Sequence, residues 1–330
     1  MKAIVQDRYG STDVLELREI DRPSAGDDDV LVRVRAASVH ADVWHAMKGV
    51  PFVLRAMGSG LRAPKHPVPG TDLAGTVESL GTNVTRFRPG DDVFGLSISA
   101  NLWRNGGAFA EYAAVPAATL EAKPTGLSFE QAAAVPTSGS LAVQHVRDEA
   151  RIREGQTILI NGAGGAVGSF AVQLAKAWGA TVTAVDATEK LEMLRSLGAD
   201  QVLDYTKEDF TQNGETYDVV FDAVGKHSFR RSRRSLKPGG TCIETDLGFM
   251  WHVPPLALLS RWIGDKKVTL PIPKYTKENV VFIKELIVAG EYRAVIDRRY
   301  PLEQVVEATK YVETEQKTGN VVLTLSGAVS

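Results

Sequence analysis

The residues best suited to chemistry form one run, Asn161-Gly162-Ala163-Gly164-Gly165-Ala166-Val167-Gly168, with Asp186 closing the next apolar run. Glycines let a backbone turn sharply and approach a pyrophosphate closely. A helix starting there offers the anion free N–H groups and the positive end of its dipole. Asp186 adds a carboxylate where a dinucleotide unit of this kind meets the adenosine ribose. The chemistry implied is the binding of a dinucleotide cofactor by Gly162, Ala163, Gly164, Gly165, Ala166, Val167, Gly168 and Asp186.

These residues need a strand before them and a helix after. Thr157-Ile158-Leu159-Ile160 is apolar and β-branched, and the residues after Gly168 carry apolar side chains at helical spacing up to a capping Gly179. Thr181-Val182-Thr183-Ala184-Val185 reads as the second strand. The alternation continues with a helix over 190–197 and strands over 201–203, 217–222, 241–244 and 267–271. That repetition implies a parallel, doubly wound sheet with its ligand at the carboxyl ends of the strands. Residues 1–125 hold short strand-like runs divided by turn signals, which suits a compact β-barrel-like domain. Ser128-Phe129-Glu130-Gln131 is a capping box that should start a helix. Beyond 274 the pattern gives helices over 278–289 and 302–311 and a last strand over 321–325.

The 330 residues suit two domains, and 44% hydrophobic with 24% charged residues describes an ordinary globular chain. A formal net charge of −2 gives no field that favours nucleic acid or anionic lipid. The single cysteine, Cys242, excludes internal disulfides and fits a reducing compartment. Met1-Lys2-Ala3-Ile4-Val5 enters a strand at once, and no apolar run is long enough to span a membrane, so a cytoplasmic protein is expected.

Gly70-Thr71-Asp72-Leu73-Ala74-Gly75-Thr76-Val77, continuing through Pro89-Gly90-Asp91-Asp92-Val93-Phe94-Gly95, resembles the hallmark of the GroES-like domain of medium-chain dehydrogenases/reductases. The glycine turn, Arg195-Ser196-Leu197-Gly198-Ala199-Asp200, Asp204-Tyr205-Thr206 and Lys237-Pro238-Gly239-Gly240 follow in that family's order. Nearly the whole chain is covered, and the resemblance is nearest to the zinc-independent quinone oxidoreductase branch. It implies an α/β protein with a GroES-like β-barrel catalytic domain (1–135, completed by 275–330) and a Rossmann doubly wound parallel sheet (136–274). The active site would lie in the cleft between them. It further implies a reductase of quinones or other activated enones that uses NADP, with NAD as the alternative. Two other functions remain open: alcohol dehydrogenase or carbonyl reductase chemistry, and a non-catalytic, crystallin-like cofactor-binding protein.

The same resemblance directs attention to several side chains. Zinc-dependent relatives place metal ligands where this chain has His40, Thr71 and Ala134, so no metal is expected. Ser38-Val39-His40-Ala41-Asp42 stands in the early active-site segment, where His40 replaces the branch's asparagine. A His40–Asp42 pair could deliver a proton; alternatively His40 hydrogen-bonds the cofactor ribose or nearby backbone. Trp44 and Trp103 are candidate pocket walls. Phe249 lies in an apolar stretch that either covers the nicotinamide end or buries against a second subunit. Thr137 and Asn320 are implied as further cofactor contacts.

For the adenosine end, Asp186 argues for NADH through the ribose 2′-hydroxyl. In the resembling quinone oxidoreductases the positions of Lys190 and Tyr205 contact the 2′-phosphate, and Thr188 can donate a hydroxyl; if Asp186 turns away, the resemblance therefore makes NADPH the expected cofactor. The arginine-rich run Arg230-Arg231-Ser232-Arg233-Arg234 reads as a solvated helix face rather than a nucleic-acid patch. Relatives of this fold pair their nucleotide domains through an edge strand, so the resemblance implies a homodimer with 267–271 as the candidate seam.

Overall fold

The computed structural model describes residues 1–50, 52, 55, 59–98, 105–245 and 264–325. The chain divides into two compact units: Met1–Thr137 with Tyr275–Val288 and Ala294–Ser330, and Ser138–Lys274 with Ala289–Arg293.

The first unit opens with β1 (Lys2–Val5), antiparallel to β2 (Glu16–Glu19). Its organising strand is β3 (Asp29–Val39), whose Val, Leu and Ala side chains are buried along most of its length. Helix α1 (Ala41–Lys48) follows, then β4 (Asp72–Leu80), β5 (Asp92–Leu96), β6 (Tyr112–Pro116) and β7 (Leu120–Ala122). β3 pairs with β4 on one side and β6 on the other, β4 with β5, and β5 with β7, all antiparallel. The capping box forms at α2 (Phe129–Ala133): Ser128 Oγ accepts from Gln131 N–H at 3.2 Å, and Gln131 Oε1 accepts from Ser128 N–H at 3.0 Å. Helix α3 (Pro136–Val143) then carries the chain onward.

In the second unit the chain runs through β8 (Thr157–Asn161), α4 (Ala166–Ala177), β9 (Thr181–Asp186), α5 (Leu191–Ser196), β10 (Gln201–Asp204), β11 (Tyr217–Asp222), α6 (Phe229–Ser232), β12 (Leu236–Glu244) and β13 (Lys267–Thr269). The strand order is β10-β9-β8-β11-β12-β13, and every neighbouring pair is parallel. Ile158, Leu159 and Ile160 are fully buried, as befits a strand covered on both faces. The order reverses between β8 and β11, the switch point of a doubly wound sheet. The arginine-rich run forms α6 and the short turn after it, and Arg231 pairs with Asp209 at 2.6 Å.

Back in the first unit come α7 (Lys277–Val288), β14 (Ile296–Pro301), α8 (Val305–Glu313) and β15 (Asn320–Thr324). β15 runs antiparallel to β3, and β14 parallel to β15, which completes a seven-stranded sheet. Ile4, Val32, Leu73, Phe109, Val321 and Leu323 pack into one core. Each such side chain withdrawn from water stabilises the fold by about 1.5 to 3 kcal/mol.

Candidate functional site

In the first unit, β3 delivers His40 to the start of β4, because the antiparallel register sets Ala37 opposite Leu73. His40 Nε2 lies 3.1 Å from Thr71 Oγ1 and 3.6 Å from Asp72 Oδ2. Asp72 is fully buried, and Thr137 holds both its oxygens: the hydroxyl donates to Oδ1 at 2.6 Å and the backbone N–H to Oδ2 at 3.1 Å. Burial pushes the Asp72 carboxyl up to about 7 against the lowering effect of Thr137, and the charge of Asp42 adds to the rise. Burial, with a smaller effect from Lys317, pulls His40 down to about 3. Near neutral pH the imidazole is therefore uncharged, and its neighbour is an acid that keeps much of its proton. The two form a hydrogen-bonding set, not an ion pair.

The carboxylate beside His40 is thus Asp72 rather than Asp42. His40 is the last extended residue and Asp42 lies in the first turn of α1, so their side chains leave the backbone in different directions. Asp42 instead accepts a hydrogen bond from the Tyr275 hydroxyl. Nothing local in the sequence signals that contact. Thr137, expected at the cofactor, spends its hydroxyl on Asp72.

In the second unit the glycine turn has the required backbone. Gly162 sits at φ +76°, in the left-handed region that side-chain-bearing residues avoid. Gly164 donates its N–H to Asp186 Oδ2 at 2.7 Å, and an added Cβ would come within 2.8 Å of that oxygen and 2.5 Å of Lys190 Cδ. The first intrahelical bond at this end runs from Ser169 N–H to the carbonyl of Gly165. The N–H groups of Ala166, Val167 and Gly168 precede it, as in other helix starts that hold anions. Turn, helix end and nearby ammonium fit a dinucleotide phosphate.

The adenosine end differs from expectation. Asp186 neither stands free nor turns away: it is bound back onto the turn by the N–H groups of Gly164 and Ala187, the latter at 2.9 Å, and its other partner is Lys190 Nζ at 3.2 Å. Both side chains are nearly enclosed, at 6% and 10% exposure. Thr188, expected to offer its hydroxyl to a phosphate, donates it to Asp204. That bond and those from Thr206 hold the Asp204 carboxyl well below the usual range. Tyr205 is exposed.

Two buried acids at the strand ends carry no obvious sequence signal. Asp222, ending β11, accepts from Asn161 Nδ2 at 3.0 Å and from the N–H groups of Val224, Gly225 and His227, which ties the ends of β8 and β11 together. Glu244, ending β12, is fully buried; Oε1 accepts from the Cys242 thiol, and Oε2 has no hydrogen-bond partner among the described residues. Burial, with the Asp222 charge adding, pushes it up to about 8.

Among the other candidates, Trp44 packs against the core of the first unit with Lys48 Nζ over its ring at 4.5 Å. Asn320 is buried at the start of β15, where Nδ2 donates to the Val295 carbonyl at 3.1 Å. Ala134 caps α2. Trp103 and Phe249 lie outside the described residues. Among the described residues no three His, Cys, Asp or Glu side chains are grouped to hold a metal ion, and no helix is long and apolar enough to cross a membrane.

Comparison with known proteins agrees with this architecture. Residues 26–125 match the alcohol dehydrogenase GroES-like domain, and residues 197–323 the zinc-binding dehydrogenase domain. The chain belongs to the medium-chain dehydrogenase/reductase superfamily, among its quinone oxidoreductase-like members. It is 34% identical to a 2-methylene-furan-3-one reductase of Solanum lycopersicum, with 98% of this chain and 79% of that protein covered. It is 35% identical to an NADPH-dependent alkenal/one oxidoreductase, chloroplastic, of Arabidopsis thaliana, with the same coverage. Among solved structures, the quinone oxidoreductase from Coxiella burnetii is similar at a TM-score of 0.87 and 28% identity, over 99% of both chains.

Proposed function

We propose that this chain is an NADPH-dependent reductase of activated enones and quinones that works without zinc, as a cytoplasmic homodimer. The observation that carries the cofactor assignment is the closure of Asp186 onto Gly164. A carboxylate that already accepts two N–H groups and faces an ammonium no longer repels a 2′-phosphate as a free one would. Lys190 and Tyr205 would hold that phosphate, the Gly162 to Gly168 turn the pyrophosphate, and Asn320 is a further candidate contact. Bound there, NADPH supplies the hydride.

The chain's own residues orient the substrate and handle its proton. A neutral His40, hydrogen-bonded to Thr71, is suited to directing a carbonyl oxygen and poorly suited to giving up a proton. Freedom from zinc is supported by the donor set. Thr71 and Ala134 supply neither thiolate nor imidazole, and a tetrahedral zinc site takes four ligands, of which at least three come from the protein. Dimerisation is supported by β13, which ends the strand order of the second unit. The composition supports a cytoplasmic location and partners that are neither nucleic acid nor membrane.

Metal analysis paired with turnover tests the zinc-free claim. NADPH oxidation unchanged by a chelator, in protein with far less than one zinc per chain, is expected. Stoichiometric zinc, with activity lost to the chelator and restored by the metal, would overturn it.

A further inference from the structure

The register of β3 and β4 builds a short chain of hydrogen-bonding groups around His40, and its order decides what the imidazole can do. His40, Thr71, Asp72 and Thr137 all belong to the first unit, and all are buried. His40 Nε2 is 3.1 Å from Thr71 Oγ1 and 3.6 Å from Asp72 Oδ2, whereas Nδ1 has no hydrogen-bond partner among the described residues. Asp72 receives the hydroxyl and the backbone N–H of Thr137, at 2.6 and 3.1 Å, and the Thr71 hydroxyl is within bonding reach of it. Two orders of donation fit this arrangement. In one, His40 donates from Nε2 to Thr71, and Thr71 donates to an ionised Asp72. In the other, the protonated acid donates to Thr71, and Thr71 donates to Nε2, which leaves the ring proton on Nδ1.

Electrostatics decides between them. The first order leaves a carboxylate charge in complete burial, and the one group among the described residues placed to pair with it is an imidazole that is itself uncharged. The fields that reach the cluster act the same way. Asp42 opposes ionisation of Asp72, and Lys317, whose ammonium donates to the Gly319 carbonyl at 2.6 Å, opposes a charge on His40. The two Thr137 donors occupy carboxyl lone pairs, so the proton of the acid goes to Thr71. Resting on the enone-reductase reading above, we propose that Asp72, acting through the Thr71 hydroxyl, is the positioning residue that fixes the ring proton of His40 on Nδ1 and makes that N–H the donor for the substrate's carbonyl oxygen. His40 keeps this proton throughout. A buried N–H without an intramolecular partner costs stability until an acceptor oxygen meets it, and that bond strengthens as the oxygen gains charge during hydride transfer.

Nitrogen-15 labelling of the six histidines, with His40→Gln to identify the ring signals of His40, reads the tautomer directly by NMR. Burial pushes Asp72 up to about 7, so spectra taken at about pH 6, without cofactor or substrate, observe its acid form. Wild type is expected to show a protonated Nδ1 and an unprotonated Nε2. Asp72→Asn, whose amide N–H stands in for the O–H of the acid, should keep the proton there. Thr71→Val should move it to Nε2 and lower kcat for an alkenal by about tenfold or more, with NADPH affinity within about threefold. Thr71→Ser should restore both the tautomer and turnover. A wild-type ring protonated on Nε2, or a proton that stays on Nδ1 in Thr71→Val, would overturn the assignment. A wild type with the Nδ1–H ring that turns over neither enones nor quinones would support the tautomer and count against the reductase reading itself.

Discussion

Lys190→Met probes the adenosine end directly. Methionine keeps an unbranched stem over Gly164, where Lys190 Cδ now packs, but removes the ammonium. A charge-assisted hydrogen bond to a 2′-phosphate is worth about 1.5 to 3 kcal/mol, which is about 10- to 150-fold in kcat/KM. The same change removes the cation 3.2 Å from Asp186. That acid keeps the Gly164 and Ala187 N–H groups, so the protein should survive with a melting temperature several degrees lower. Steady-state kinetics with both cofactors separate the two effects. NADPH should lose the full factor, whereas NADH, which lacks the phosphate, should change by less than about threefold. Equal losses with NADPH and NADH, or no loss with either, would refute a phosphate-binding role and leave Lys190 as no more than the counter-ion of Asp186.

Stability should also depend on pH in an unusual direction. Asp72 and Glu244 bind their protons more tightly in the folded than in the unfolded chain, so their stabilising contribution is complete below about pH 4. It drains as pH rises through about 7 for Asp72 and about 8 for Glu244. The loss is of order 4 kcal/mol per group, and urea titrations between pH 5 and 9 should show wild type weakening while Asp72→Asn with Glu244→Gln stays flatter; parallel profiles would contradict this. Gly164→Ala should weaken both cofactors at least tenfold, as its Cβ would collide with Asp186 and Lys190; a fluorescence titration giving wild-type affinity would show that the turn relaxes. His40→Ala should lower turnover more than cofactor affinity, and the reverse pattern would favour a ribose contact. Light scattering at micromolar concentration should give a dimer mass; a monomer would remove β13 as a seam.

The second unit is highly legible in the sequence, because its strands are continuous apolar runs and its helix starts and stops carry glycine, serine and acid signals. β8, β9, β11 and α4 fall where hydrophobic spacing puts them. β12 starts at Leu236 rather than Thr241, since Lys237-Pro238-Gly239-Gly240 reads as a turn yet lies within the strand, beside a register shift opposite Tyr217 and Val219. β14 escapes a periodicity reading altogether: Ile296–Pro301 is half polar and sits at the edge of its sheet. The glycine turn of the candidate site is legible from local chemistry. Long-range side-chain pairing is not. Asp72 meets Thr137, and Asp42 meets Tyr275, only because β3, β4, α3 and the returning segment converge. The partners of Asp186 depend on where Gly164 points its N–H, which no residue code spells out.

The most direct test of the proposed reaction follows a label. NADPH carrying deuterium at the transferable C4 position is incubated with the protein and an α,β-unsaturated aldehyde, and the product is identified by mass spectrometry and NMR. A saturated aldehyde with deuterium on its β-carbon is expected. An allylic alcohol with deuterium on the former carbonyl carbon would contradict C=C reduction and point to carbonyl reductase chemistry. Tight NADPH binding without any product would contradict catalysis itself.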